Sequence, residues 1–188
     1  LTGDSAANIL NGGLGNDTLI GAGGNDIYQF NDGWGNDTIT ENTGGGSDTL
    51  DFSAVTFALA IQINATVTVS GSGNAEIAIA NIEIVKGGLN NDTFTIFSGT
   101  QTQMLYGGAG DDVFIFQNNA VMSSTIDGGA GSDVLNYAAY VNPRNFVLTG
   151  IGTVDGFQGT ETSLPSGFDN INTLIGSAGT DSLTGFDL

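Results

Sequence analysis

The chain contains no cysteine, no histidine, two prolines, one lysine (Lys86) and one arginine (Arg144). Without cysteine there is neither a disulfide nor a thiolate metal site, so a secreted protein of this size needs another staple. Without histidine there is no imidazole for acid–base work and none to attract zinc. A single Lys and a single Arg cannot neutralise a row of phosphates, which excludes nucleic acid and anionic membrane surfaces as partners. No apolar run approaches the ~18 residues of a membrane-spanning helix, and the N-terminus shows no basic-then-apolar signal peptide. Apolar residues are not scarce: at 39% they allow a packed core and argue against disorder.

Glycine and acid are in excess, with 31 Gly among 188 residues and 20 Asp plus Glu giving a formal net charge of -18. Such a surface invites cations. The glycines are patterned: residues 12 to 30, GGLGNDTLIGAGGNDIYQF, are two nine-residue phrases laid end to end. With the Asp as position 6, the phrase begins at GDSAANILN, where Asn8 stands in its place. It recurs around Asp17, Asp26, Asp37, Asp48, Asp92, Asp112, Asp133 and Asp181. Position 8 is apolar in every copy: Leu10, Leu19, Tyr28, Ile39, Leu50, Phe94, Phe114, Leu135 and Leu183.

One inward apolar side chain between two outward ones predicts a very short strand, and a Gly-rich hexapeptide predicts a tight turn. Two phrases then close one circuit of about 18 residues, with strands of successive coils pairing in parallel about 4.8 Å apart. The expected fold is all-β, a right-handed parallel β-roll or β-solenoid of roughly eight to nine coils. Spacings near one coil, 20 residues from Asp17 to Asp37 and from Asp92 to Asp112, suggest a single edge bearing the acidic turns. The gaps from Asp48 to Asp92 and from Asp133 to Asp181, 44 and 48 residues, read as about two coils each that have lost the Asp.

Those gaps resemble one another. GSDTLDFSAV (46 to 55) matches GSDVLNYAAY (131 to 140) at an offset of 85, and ANIEIVKGGLNNDTFTIF (80 to 97) matches DNINTLIGSAGTDSLTGF (169 to 186) at an offset of 89. The implied organisation is an acidic roll at 1–51, metal-free coils at 52–86, acidic coils at 87–136, and metal-free coils at 137–188 ending in a degenerate repeat.

Stacked carboxylates about 5 Å apart repel by about 3 kcal/mol per neighbouring pair at an effective dielectric near 20. A hard divalent cation removes the problem. Ca²⁺ accepts 6 to 8 carboxylate and carbonyl oxygens in a flexible shell, whereas Mg²⁺ demands a small rigid octahedron, so calcium is the expected ion.

The phrase GGxGxDxUx, of which GGLGNDTLI and GGAGDDVFI are near-ideal copies, resembles the RTX (hemolysin-type) calcium-binding nonapeptide repeat. The resemblance covers residues 3 to 51, 87 to 136 and 176 to 184 with decreasing regularity. It implies Ca²⁺ between the turns of adjacent coils, bound by the carboxylates of Asp17, Asp26, Asp37, Asp48, Asp92, Asp112 and Asp133. It implies carbonyl ligands from Gly12, Leu14, Gly21, Gly23, Gly107 and Ala109. It also implies a secreted or cell-surface bacterial protein, exported unfolded and folding where calcium is plentiful. Departures are Asn8 for the first Asp, Asp32 and Thr43 where the first Gly belongs, and Gly-Ser at the start of the Asp181 copy.

Blander roles suit the remaining residues. Asp4, Asp155, Asp169 and Asp187 read as solvated or turn acids; Glu76, Glu83 and Glu161 read as solvent-facing; Arg144 follows a Pro in a loop. Tyr28, Phe94 and Phe114 occupy the inward position, while Trp34, at a turn tip, reads as an exposed contact. No constellation suits catalysis, and no enzymatic activity is expected. Three functions fit: a calcium-rigidified structural segment of an adhesin, sheath or surface-layer filament; a calcium-triggered folding and export module of a type I-secreted enzyme or toxin; or a carbohydrate-binding module. Both ends, LTGD and DSLTGFDL, sit inside the repeat phrase, so continuation into more array, or axial stacking into a homo-oligomer or filament, is expected.

Overall fold

A computed structural model describes residues 1–42, 45–78 and 81–185, with the side chains of 75–78 left out. The expectations for Thr43, Asp187 and the Glu76 side chain fall outside it. No helix occurs among the described residues, and the strands form a ten-stranded sheet, a nine-stranded sheet and a small two-stranded sheet.

Most strands are short because the phrase gives each only a few residues between Gly-rich turns. Thr18–Ile20 pairs in parallel with Asn36–Thr40, and Ile27–Gln29 with Thr49–Asp51. Thr93–Ile96, Val113–Phe116 and Val134–Asn136 follow one another in parallel, as do Ile84–Lys86, Met104–Ala109 and Ile126–Ala130 on the facing sheet. Register places like on like: Leu19 beside Ile39, Tyr28 beside Leu50, Phe94 beside Phe114 and Phe114 beside Leu135. This is the parallel β-roll that the phrase predicts.

The position-8 side chains from Leu10 to Leu135 are buried and line the space between the two large sheets. Phe94 stacks on Phe114 at 4.7 Å and Phe116 on Tyr137 at 4.4 Å, so aromatic ladders continue the register through the core. Leu183 departs from the pattern at 61% exposed, on a strand, Ser182–Thr184, that lies outermost in the described sheet. Trp34 is corrected: it is buried, against Phe30, Phe52 and Phe57, because the turn carrying it folds over the inter-sheet space.

The turns stack as closely as the strands. Gly35, Gly46 and Gly131 all have positive φ, and a Cβ on any of them would collide with the carbonyl of the glycine one coil earlier, Gly15, Gly24 or Gly110. Only glycine meets both conditions.

The two long gaps are not pairs of extra coils. In the first, Ala60–Ile63, Val67–Gly71 and Asn74–Ala78 form an antiparallel meander inside the nine-stranded sheet. Its last strand pairs back to Asn36–Thr40 and its first pairs forward to Thr93–Ile96. On the facing sheet Thr49–Asp51 is directly followed by Ile84–Lys86, so the chain makes a single circuit there. In the second gap Asn145–Ile151, Phe157–Glu161 and Leu164–Ile171 repeat the device in the ten-stranded sheet. These segments alternate polar and apolar residues without the Gly-Asp turn that would carry the chain around to the other sheet, so they reverse locally.

Candidate metal centre

A circuit of two phrases has two turns, one at each edge of the roll, so the acids do not share a single edge. Asp17, Asp37, Asp92, Asp112 and Asp133 precede or open strands of the nine-stranded sheet; Asp26 and Asp48 precede strands of the ten-stranded sheet. The single-edge expectation fails because consecutive phrases face opposite ways.

Within each edge the geometry is uniform. Oδ1 of four of these residues accepts the backbone N–H of the corresponding residue one coil earlier: Asp37 from Asp17, Asp48 from Asp26, Asp112 from Asp92 and Asp133 from Asp112, at 2.7 to 2.8 Å. Asp26 accepts from Asn8, and Asp92 from Leu59, each at 2.8 Å. One oxygen of each of these six carboxylates is therefore part of the coil-to-coil ladder.

The other oxygen is the informative one. Oδ2 of Asp17, Asp26, Asp37, Asp112 and Asp133 is buried without a hydrogen-bond partner. Leaving one such acceptor unsatisfied costs about 1–3 kcal/mol, more when charged, so five at equivalent positions of the repeat demand a shared explanation. Asp92 Oδ2 differs in accepting the Gly88 N–H at 2.6 Å.

These oxygens open onto space that a side chain would otherwise fill. A Cβ on Gly12 would lie 2.8 Å from Asp17 Oδ2, and one on Gly128 would lie 2.6 Å from Asp133 Oδ2. A Cβ on Gly107 would collide with both Asp112 Oδ2 and the Gly128 carbonyl. At Asp112 and Asp133 a carboxylate oxygen and a backbone carbonyl thus converge on one cradle, an oxygen donor set that suits calcium. Of the remaining carbonyl candidates, Gly21 borders Asp26 Oδ2, and Gly23 donates its N–H to the Asp4 carbonyl at 3.2 Å. Ala109 donates to the Gly88 carbonyl at 3.1 Å, while the Leu14 side chain projects into solvent from its turn tip.

Electrostatics point the same way. Burial pushes the Asp112 carboxyl up to about 8 against the lowering effect of the Asp92 N–H, and the charges of Asp92, Asp133 and Asp111 add to the rise. Burial likewise raises Asp48, Asp92 and Asp133 to about 6, and raises Asp37. The ladder resists being fully ionised unless positive charge joins it.

The sequence reading missed several participants. Glu83 Oε2 accepts the Asp48 N–H at 2.8 Å, and Asn172 Oδ1 accepts that of Asp133 at 2.9 Å, each standing where the next Asp would be. The signal was available: the matching stretches ANIEIV and DNINTL align Glu83 with Asn172. Glu83 is half-buried and Glu161 is buried, so neither is the solvent-facing acid expected. Glu161 accepts two bonds from Ser163, and its Oε1 lies 3.4 Å from Arg144 Nη1, whose guanidinium sits over the Tyr140 ring. Asp181 accepts from the Arg144 N–H and from Ser177, bonds that hold its carboxyl below the usual range. Asp155 is half-buried and bonds the Gly131 N–H and the Asn172 side chain, whereas Asp4 is exposed.

No curated protein matches the chain. The family model of the RTX calcium-binding nonapeptide repeat matches it in four copies, over residues 2–39, 104–116, 123–139 and 166–187. Asp48 and Asp92 lie between the matched stretches yet take part in the same ladders. With the repeats, the roll and the two acidic edges in agreement, this chain carries RTX calcium-binding nonapeptide repeats, in four copies spread along its length.

Proposed function

We propose that the chain is a calcium-rigidified structural segment of a secreted or cell-surface bacterial protein, and that its role is mechanical and not catalytic. The observation that carries this reading is the set of buried Oδ2 atoms without partners at Asp17, Asp26, Asp37, Asp112 and Asp133, those of Asp112 and Asp133 converging with a backbone carbonyl on a glycine cradle. Bound calcium would supply the positive charge that lets these carboxylates stay ionised while buried. The protein's own contribution is to hold Oδ1 of Asp26, Asp37, Asp112 and Asp133 on a backbone N–H, so that Oδ2 is presented in a fixed direction.

Because the ligands of one site come from successive coils, binding closes the stack and couples directly to folding. Export in an unfolded state followed by folding in millimolar calcium fits this coupling. Far-UV circular dichroism tests it: the chain should be largely disordered in EGTA and shift to β on adding millimolar Ca²⁺. A fully formed β spectrum at neutral pH in excess EGTA would overturn the reading.

A further inference from the structure

Glu41 is an acid that the nonapeptide does not account for. It follows the strand Asn36–Thr40 and is buried. The step from Asp26 to Asp48 is 22 residues, two longer than the 20 from Asp17 to Asp37, and Glu41 lies in that longer connection. Asn42 ties the segment to the preceding turn, its Nδ2 donating to the Ala22 carbonyl at 2.8 Å while its N–H donates to Glu41 Oε1 at 3.1 Å. The Glu41 carboxylate is thereby turned inward.

There it meets the acidic edge. Carboxylate oxygens of Asp26, Glu41 and Asp48 lie within 4.8 Å of one another, and all three residues are buried. Asp26 is fully buried, and its Oδ2 has no partner. That atom, Glu41 Oε2 and the Tyr28 hydroxyl all crowd the point from which a side chain at Gly21 would begin. Glu41 Oε2 also accepts the Tyr28 hydroxyl, which fixes its direction. Neither cationic side chain of the protein serves this cluster: Lys86 pairs with Asp51 and Arg144 with Glu161.

We propose that Glu41 supplies a third carboxylate, beside those of Asp26 and Asp48, to one calcium site at the Gly21 turn. The inference rests on the calcium reading above and adds a ligand that the repeat pattern does not contain. Three acid side chains and only oxygen donors select a hard cation, and the added charge makes this the tightest site and the first to fill. It lies on the coil just before the first meander, where it anchors the last regular circuit of the N-terminal roll.

Calorimetric calcium titration of the chain, wild type against Glu41→Gln, tests the assignment. Gln keeps an oxygen to accept the Tyr28 hydroxyl and loses only the charge. The tightest binding event should weaken on the order of ten- to a hundredfold while the weaker events stay in place. An unchanged isotherm in a wild type that does take up calcium overturns this proposal alone; no uptake by wild type overturns the calcium reading and this proposal together. Terbium luminescence excited through tyrosine provides a second measurement that does not depend on the Gln variant folding. Emission from the first bound Tb³⁺ should fall severalfold in Tyr28→Phe, and emission equal to wild type places the first ion elsewhere and overturns the assignment.

Discussion

Replacing Asp112 with Asn should stabilise the roll without calcium and weaken it with calcium. Asp112 sits between Asp92 and Asp133, donating its own N–H to Asp133 Oδ1 and accepting that of Asp92. Asn retains an oxygen for the Asp92 N–H and removes one charge from the middle of the row. With burial holding the carboxyl at about 8 instead of 3.8, the folded state binds the proton more tightly than the unfolded state. Stability from this group is therefore fully present below about pH 4 and is lost as pH rises towards 8. At pH 7 about three units of that interval have been crossed, ~4 kcal/mol at 1.36 kcal/mol per unit, and solvent screening at the turn reduces this to about 2 kcal/mol.

Asp112→Asn should accordingly raise the folded-to-unfolded ratio about thirtyfold in EGTA at pH 7 and leave it unchanged at pH 4. In saturating calcium the sign should reverse, because a carboxylate ligand has gone, and the calcium midpoint for folding should rise on the order of tenfold. Far-UV circular dichroism measures both arms, as the folded fraction in EGTA and as calcium-titration and urea-unfolding midpoints with calcium. Equal destabilisation in EGTA and in calcium would show that Asp112 acts only as a hydrogen-bonding residue and would refute the argument.

Three further outcomes follow from the same geometry. In EGTA, lowering the pH from 8 to 5 should increase the β signal as Asp48, Asp92, Asp112 and Asp133 take up protons, and a flat profile would contradict the buried-charge account. Gly131→Ala should cost about 3 kcal/mol or more in calcium, since φ is +141° and the new methyl meets the Gly110 carbonyl; a change below about 0.5 kcal/mol in urea unfolding would show that the turns are not closely stacked. Arg144→Met should cost about 3–5 kcal/mol by leaving the buried Glu161 without its cation, and adding Glu161→Leu should recover most of the loss in the same assay.

What was legible in the sequence is what the nonapeptide encodes locally. Position 8 announces an inward side chain, the glycines announce a turn, and Leu19, Tyr28, Phe94 and Phe114 are buried as that grammar requires. The carboxylates were legible as ligands because acids repeated in register have few other uses. What was not legible depends on closure in three dimensions. The edge on which Asp26 or Asp37 lies is set by the number of half-circuits before it, which no single phrase records. The antiparallel course of residues 60–78 was hidden because its alternation suits a strand of either direction. Glu41 has no place in the repeat, and only folding brings it to Asp26 and Asp48. Asn81 and Asn170 show the reverse case: the Asn-Ile landmark was visible, but its purpose, a left-handed backbone at φ 81° and 54°, belongs to the corner where each meander rejoins the roll.

The two meanders carry one more consequence. The landmark strand Thr49–Asp51 lies in the ten-stranded sheet and its sequence counterpart, Val134–Asn136, in the nine-stranded sheet; the meanders that follow are likewise exchanged. The same module therefore folds on either wall, so local sequence specifies strand and turn while the count of half-circuits specifies the wall. Whole circuits should be removable where half circuits are not. Deleting residues 107–127 joins Tyr106 to Gly128, and since Tyr106 is already in register with Asp127 and Gly108 with Gly129, the strand continues without a break. The Asp92 N–H would then meet Asp133 Oδ1 in place of Asp112, which lies 21 residues earlier. Deleting only 107–115 removes three of the four residues of Val113–Phe116 from the nine-stranded sheet and the last three residues of Met104–Ala109 from the facing one, so Phe94 loses its stacking partner and Asp92 its ladder acceptor. In millimolar calcium the first deletion should keep a β spectrum and cooperative unfolding with fewer ions bound, and the second should lose both. Equal tolerance of the two deletions would show that the walls are not counted in half-circuits.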